Sequence, residues 1–169
     1  MGSHVCQEAI RCGLPVLSIS RSGKPENDDT AWTAQVEWVK GDALKPESYK
    51  ELLGNCLGLV SCIGLISTSN EDMLEINGKA NENIINAAAE AGVQRMAYIS
   101  AHDYQFPGDL VVMKGYFEGK RIAEAALTAK YPDGGASTTM VTRMRRSHTT
   151  AKLLHPCFPL RCRPGPHAL

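Results

Sequence analysis

The stretch Leu57-Gly58-Leu59-Val60-Ser61-Cys62-Ile63 is a continuous apolar run, the pattern of a strand buried on both faces. The clearest helix follows it. Over residues 71–91, Met73, Ile76, Ala80, Ile84, Ala88 and Ala91 recur at helical spacing, acids occupy the first turn, and Gly92 ends it. Arg95 to Ser100 then reads as another strand. Strand, amphipathic helix and strand make a βαβ unit, which requires a parallel pair. Upstream, Val16–Ser20 and Val36–Val39 are two more short strands, preceded by a helix over residues 3–12 that Gly13 stops. Pro46 opens a further helical turn, with Tyr49, Leu52 and Leu53 as its apolar face up to Gly54. Downstream, residues 115–130 form an amphipathic helix through Ile122, Ala126 and Ala129. The alternation over residues 3–130 predicts an α/β domain with a Rossmann-like, doubly wound parallel sheet. Its strands fall at 16–20, 36–39, 58–63 and 95–100.

Composition sets the outer bounds. The chain has 169 residues, 43% of them hydrophobic, enough for one domain with a core. No run approaches the roughly 18 apolar residues of a membrane span, and no signal-peptide or transit-peptide pattern opens the chain. Six cysteines are too sparse for a disulfide-built scaffold. The net charge of zero hides an asymmetry. Residues 1–133 carry 12 basic and 18 acidic side chains, and residues 134–169 carry six basic and none acidic. That end also holds four of the nine prolines. Residues 1–135 are therefore read as the folded domain and 136–169 as a basic, disordered tail, with a strand conceivable at Thr138–Thr142. The tail's His155, Cys157, Cys162 and His167 lack a scaffold for zinc, so no metal site is expected. It also lacks the interleaved aromatics of a nucleic-acid binder.

The candidate site residues sit where strands end. Gly2 directly precedes the first helix, where a backbone amide can meet a pyrophosphate; Met1-Gly2-Ser3-His4 also reads as a cloning scar. Arg21, beside Ser22 and just past the Val16–Ser20 strand, suits a ribose 2′-phosphate, or is a solvated turn residue. Asp42 faces an adenine or caps the following turn. Tyr116 and Lys120 stand at i and i+4 on one helix face, a spacing at which an ammonium favours the phenolate and makes the tyrosine a general acid/base. Ser100 orients a substrate carbonyl or is an ordinary strand-end hydroxyl. Asn77 and Asn81 share a helix face, where buried asparagines tie loops together by hydrogen bonds.

Taken in order, Gly2-Ser3-His4-Val5-Cys6, Ser18-Ile19-Ser20-Arg21-Ser22-Gly23, Ile76-Asn77-Gly78-Lys79-Ala80-Asn81, Ala101-His102-Asp103-Tyr104 and Gly115-Tyr116-Phe117-Glu118-Gly119-Lys120-Arg121 resemble an atypical short-chain dehydrogenase/reductase. The likeness is to plant plastid NAD(P)-binding Rossmann proteins, relatives of an accessory subunit of respiratory complex I. It implies NADP or NAD as cofactor, an unknown small-molecule substrate, and a chloroplast setting, with the mitochondrion second. Some relatives serve quinone metabolism, which implies a peripheral association with organelle lipid. By this resemblance Gly2, Arg21 and Ser22 hold phosphates, Asp42 meets the adenine, and Cys62, Ile63 and Gly64 pack on the adenosine. Tyr116 and Lys120 are the catalytic pair, with Ser100 beside them and Lys120 also on the ribose. The family's first strand and most of its glycine loop have no counterpart here, and nothing after about residue 135 matches it. The chain is thus expected to be a truncated Rossmann domain, marginally stable, with weakened dinucleotide affinity.

Overall fold

The computed structural model describes residues 1–25, 30–101 and 112–133, and the backbone of residues 135–140. Helix α1 (Gly2–Arg11) leads into β1 (Val16–Ser20), and a single 3-10 turn precedes β2 (Val36–Lys40). Two more 3-10 turns, Pro46–Ser48 and Lys50–Asn55, lead to β3 (Gly58–Ser61). Helices α2 (Asn70–Leu74) and α3 (Ala80–Glu90) are joined by a π-helical turn, Glu75–Lys79, into one rod. β4 (Arg95–Ala101), α4 (Lys114–Lys130) and β5 (Gly135–Met140) complete the described elements.

Every strand pair is parallel. The strands fall into two sheets, β1-β2 and β3-β4-β5. Each sheet follows chain order, β1 to β2 in one and β3 through β4 to β5 in the other, with α3 and α4 crossing between the parallel strands of the second. That is the doubly wound α/β pattern, Rossmann-like in order. Among the described residues no strand pairs with the free edge of β1 or of β3.

Local signals place the helix ends. Ser69 Oγ accepts the Asp72 amide at 3.1 Å and caps α2, whose first turn carries Glu71 and Asp72. Gly13 and Gly92 take positive φ, and the chain folds back there, with Leu14 N donating to Ala9 O and Val93 N to Ala88 O. The core joins Leu53, Ile84, Ile85, Ala88, Val93, Met96, Tyr98, Ala123 and Leu127, between α3, α4 and the β3-β4-β5 sheet. Each large apolar side chain buried there contributes about 1.5–3 kcal/mol. Helix α1 has no buried residue, so it adds little to that sum.

Four expectations change. β3 stops at Ser61, leaving Cys62 and Ile63 outside it. It is not buried on both faces, since Val60 is 45% exposed. Its only described neighbour is β4, so apolar composition has not been matched by cover. The turn at Pro46 is 3-10 rather than α-helical. Finally, β5 pairs from Gly135 to Met140 with Met96 to Ala101, so the sheet runs past the boundary expected at residue 135. The expected disorder of 143–169, and the tail histidines and cysteines, lie outside the described residues.

Candidate functional site

In parallel sheets the carboxyl ends of the strands share one edge, and ligands bind there. Arg21 and Ser22 follow β1, Asp42 follows β2, Cys62 to Gly64 follow β3, and Ser100 is the penultimate residue of β4. Helix α4 begins at the same edge with Tyr116 in its first turn.

Three glycines seat α4. A Cβ on Gly119 would stand 2.8 Å from Gly78 N and 2.9 Å from Asn77 Cβ, and one on Gly115 would overlap the Asn70 carbonyl. Backbone therefore packs on backbone where α4 crosses the π turn. Asn70 Oδ1 accepts the Gly115 amide at 2.8 Å and fixes the start of the helix. This contact, which the sequence reading missed, was signalled by two glycines four residues apart on one helix face.

The crossing drives Lys120 inward to 5% exposure. Its Nζ donates to Ile99 O at 3.0 Å and lies 4.8 Å from the centre of the Tyr98 ring. Burial lowers the Lys120 pKa, opposed by the Glu124 charge. Nζ is 5.6 Å from the centre of the Tyr116 ring. The expectation that Lys120 lowers the Tyr116 pKa is not met: burial moves the Tyr116 phenol upward. The physical reason is that the ammonium is turned to Ile99 O and the face of Tyr98. Ser100 is 3% exposed, and among the described residues its Oγ has no hydrogen-bond partner.

The loop after β3 is held by the two asparagines, as their shared helix face suggested. Asn77 Oδ1 accepts Leu65 N at 3.1 Å, while its Nδ2 donates to Leu65 O and Met73 O, both at 2.8 Å. Asn81 Oδ1 accepts Ser61 Oγ–H at 2.6 Å, and its Nδ2 reaches Asn77 O at 3.0 Å. These side chains take up carbonyls that the π turn leaves irregular, and such turns recur at functional sites. Above them, a Cβ on Gly64 would lie 3.3 Å from Asn77 Oδ1 and 3.5 Å from Lys120 Nζ. Glycine there keeps the space over Lys120 open. That cradle, with the orphaned Ser100 hydroxyl, fits a bound polar group at this edge.

On the other side, a Cβ on Gly2 would lie 3.9 Å from Cys62 Cβ, so the start of α1 meets the end of β3. Arg21 and Ser22 are exposed in the turn that Ser20 and Gly23 close, Gly23 N donating to Ser20 Oγ at 3.1 Å. Asp42 Oδ1 accepts the Leu44 amide at 3.0 Å within the loop after β2, while the following helical turn has Lys45 at its N-cap, so Asp42 is not the cap weighed for it. Among the described residues no cluster of three or more His, Cys, Asp or Glu side chains could hold a metal.

Residues 1–144 match the family described as NAD(P)H-binding. The chain belongs to that family. It is 43% identical, over 80% of its length, to an uncharacterized chloroplastic protein of Arabidopsis thaliana, and it spans 44% of that relative. Among solved structures, the NAD(P)H-binding chain is similar to the Bordetella bronchiseptica enzyme WbmH in complex with NAD+. There the TM-score is 0.60 and the identity 14%, over 82% of this chain and 51% of that one. It is also similar to ChuY, an anaerobillin reductase from Escherichia coli O157:H7. That TM-score is 0.63 and the identity 18%, over 82% of this chain and 66% of that one. At such identities the structures establish the fold, and the family match establishes the nicotinamide dinucleotide as the class of ligand. No described helix is long and apolar enough to cross a membrane.

Proposed function

We propose that the chain is the dinucleotide-binding part of a reductase of the atypical short-chain dehydrogenase type, converting a small carbonyl compound and its alcohol. The observation that carries this is Lys120, a buried cation held at the carboxyl edge beside the open cradle at Gly64. The nicotinamide, when bound, supplies or takes the hydride. Lys120 holds the ribose hydroxyls, Tyr116 gives or takes the proton at its phenolic oxygen, and Ser100 Oγ orients the substrate carbonyl. Gly2 and the start of α1 receive phosphate oxygens, Arg21 and Ser22 the 2′-phosphate that makes NADP the preferred form, and Cys62, Ile63 and Gly64 line the adenosine. The exposed side chains of Ile66 and Val112, after β3 and before α4, favour a substrate with an apolar face. That is consistent with a quinone or lipid-derived carbonyl and a peripheral contact with organelle lipid. The chloroplastic relative supports a plastid setting, with the mitochondrion second. Kinship with an accessory subunit of respiratory complex I remains part of this proposal.

A second reading has an observation of its own. Lys120 Nζ is engaged by Ile99 O, and the Tyr116 phenol is held toward its neutral form. A non-catalytic protein that keeps a dinucleotide as a structural ligand has the same features. Reduced nicotinamide absorbance, followed with a panel of quinones and aldehydes, separates them. Substrate-dependent loss of absorbance that Tyr116→Phe lowers at least about a hundredfold supports the reductase. Tight binding without turnover across the panel supports the scaffold.

A further inference from the structure

Helix α1, which carries Cys6, approaches Cys62 just past the end of β3. A Cβ on Gly2 would be 3.9 Å from Cys62 Cβ. Cys6 lies four residues after Gly2 in the same helix, so it shares the helix face that looks at Cys62. Both cysteines are partly buried free thiols rather than core residues. Charge on Cys6 is felt at Cys62, whose thiol burial pushes upward while the N-terminal amine opposes the shift. No residue of α1 is fully buried, so its packing resists the small movement that a bond between them requires less than a core helix would. Cys12 is exposed beyond the end of α1, and Cys56 Sγ is turned toward Leu52 O, 3.6 Å away.

We infer that Cys6 and Cys62 form a reversible disulfide that ties α1 to the end of β3. The oxidant is a low-molecular-weight disulfide. The Cys6 thiolate attacks one of its sulfurs, expels one small thiolate and leaves a mixed disulfide on Cys6. The Cys62 thiolate then attacks the Cys6 sulfur and expels the second. One S–S bond breaks and one forms. The two protein thiols give up two electrons and two protons, which leave with the two small thiols. Because the Cys62 thiol is held protonated by burial, closure quickens as pH rises. The bond ties the helix that begins at Gly2 to Cys62, and both of these residues are assigned above to the dinucleotide. Its effect on binding therefore rests on that reading: the tie draws α1 onto the strand end and narrows the phosphate side.

The test treats the full chain with oxidised glutathione and maps its tryptic peptides. The expected product joins Met1–Arg11 to Glu51–Lys79 and is lighter than their sum by two hydrogens. It persists in Cys56→Ser and vanishes in Cys62→Ser. Separate glutathione adducts, free thiols at Cys6 and Cys62, or a link that survives Cys62→Ser overturn the pairing. NADPH fluorescence titration is then expected to show about tenfold weaker binding in the oxidised chain, reversed by dithiothreitol and absent in Cys6→Ser. Equal affinity in both redox forms overturns the coupling. If neither form binds NADPH, the dinucleotide reading fails, and the peptide map still decides the pair.

Discussion

Lys120 concentrates the chemistry of this edge in one side chain. An ammonium at 5% exposure has lost most of its hydration, and one carbonyl and one aromatic face replace it. Replacing such a cation with an apolar side chain of similar length removes a cost of burial rather than a source of stability. Lys120→Met is therefore expected to unfold at the same or a higher temperature than the unsubstituted protein near neutral pH. The pH sign follows from the lowered pKa. Folding disfavours the protonated lysine, so the penalty is full below its folded pKa and lifts as pH rises toward the ordinary lysine value. The stability gap between Lys120→Met and the unsubstituted protein should narrow over that range. A methionine variant that melts well below the unsubstituted protein would show that the ammonium is a structural anchor. The spacing of Tyr116 and Lys120 was legible in the sequence because both lie on one helix. The lodging of Lys120 on Tyr98 was not, since nothing local says which strand side chain will face α4.

At the scale of elements, the crossing of α4 over the π turn places everything else. Gly119→Ala puts a methyl group 2.8 Å from Gly78 N, a backbone atom that cannot turn aside. It should cost about 1–3 kcal/mol in urea unfolding. Gly54 has nothing within 4 Å of its Cβ position and no positive φ. Gly54→Ala should therefore be neutral or stabilise by up to about 1 kcal/mol. Equal effects of the two substitutions would contradict the close crossing. Most elements could be read in advance because Met73, Ile84 and Ala88 repeat at helical spacing and Val16 to Ser20 is bounded by Pro15 and Gly23. The π turn could not, since Asn77 and Asn81 fit a regular helix equally well by spacing. The exposure of Val60 was also hidden, because an apolar strand does not state how many neighbours it will have.

Across the molecule, the apolar core belongs to the β3-β4-β5 side, and the β1-β2 pair hangs from a lighter frame. Buried phenols add a second pH dependence with the opposite sign to that of Lys120. Burial pushes Tyr49 up to about 12, and Tyr98 is also raised by burial. A raised acid stabilises the fold fully below its unfolded value and loses that contribution as pH climbs through the folded value. Unfolding free energy should thus fall between pH 10 and about 12, and Tyr49→Phe should flatten part of that fall. A flat profile in the unsubstituted protein would remove the buried phenol from the core. The proposed seating of the dinucleotide against both sheets is tested most directly by calorimetric titration of NADPH into the chain, into Arg21→Ala and into Lys120→Met. The expected result is saturable binding of one NADPH, weakened roughly tenfold or more by each substitution from its own side of the edge. Absence of binding, or affinity that neither substitution changes, would contradict the placement of the dinucleotide across the ends of β1, β3 and β4.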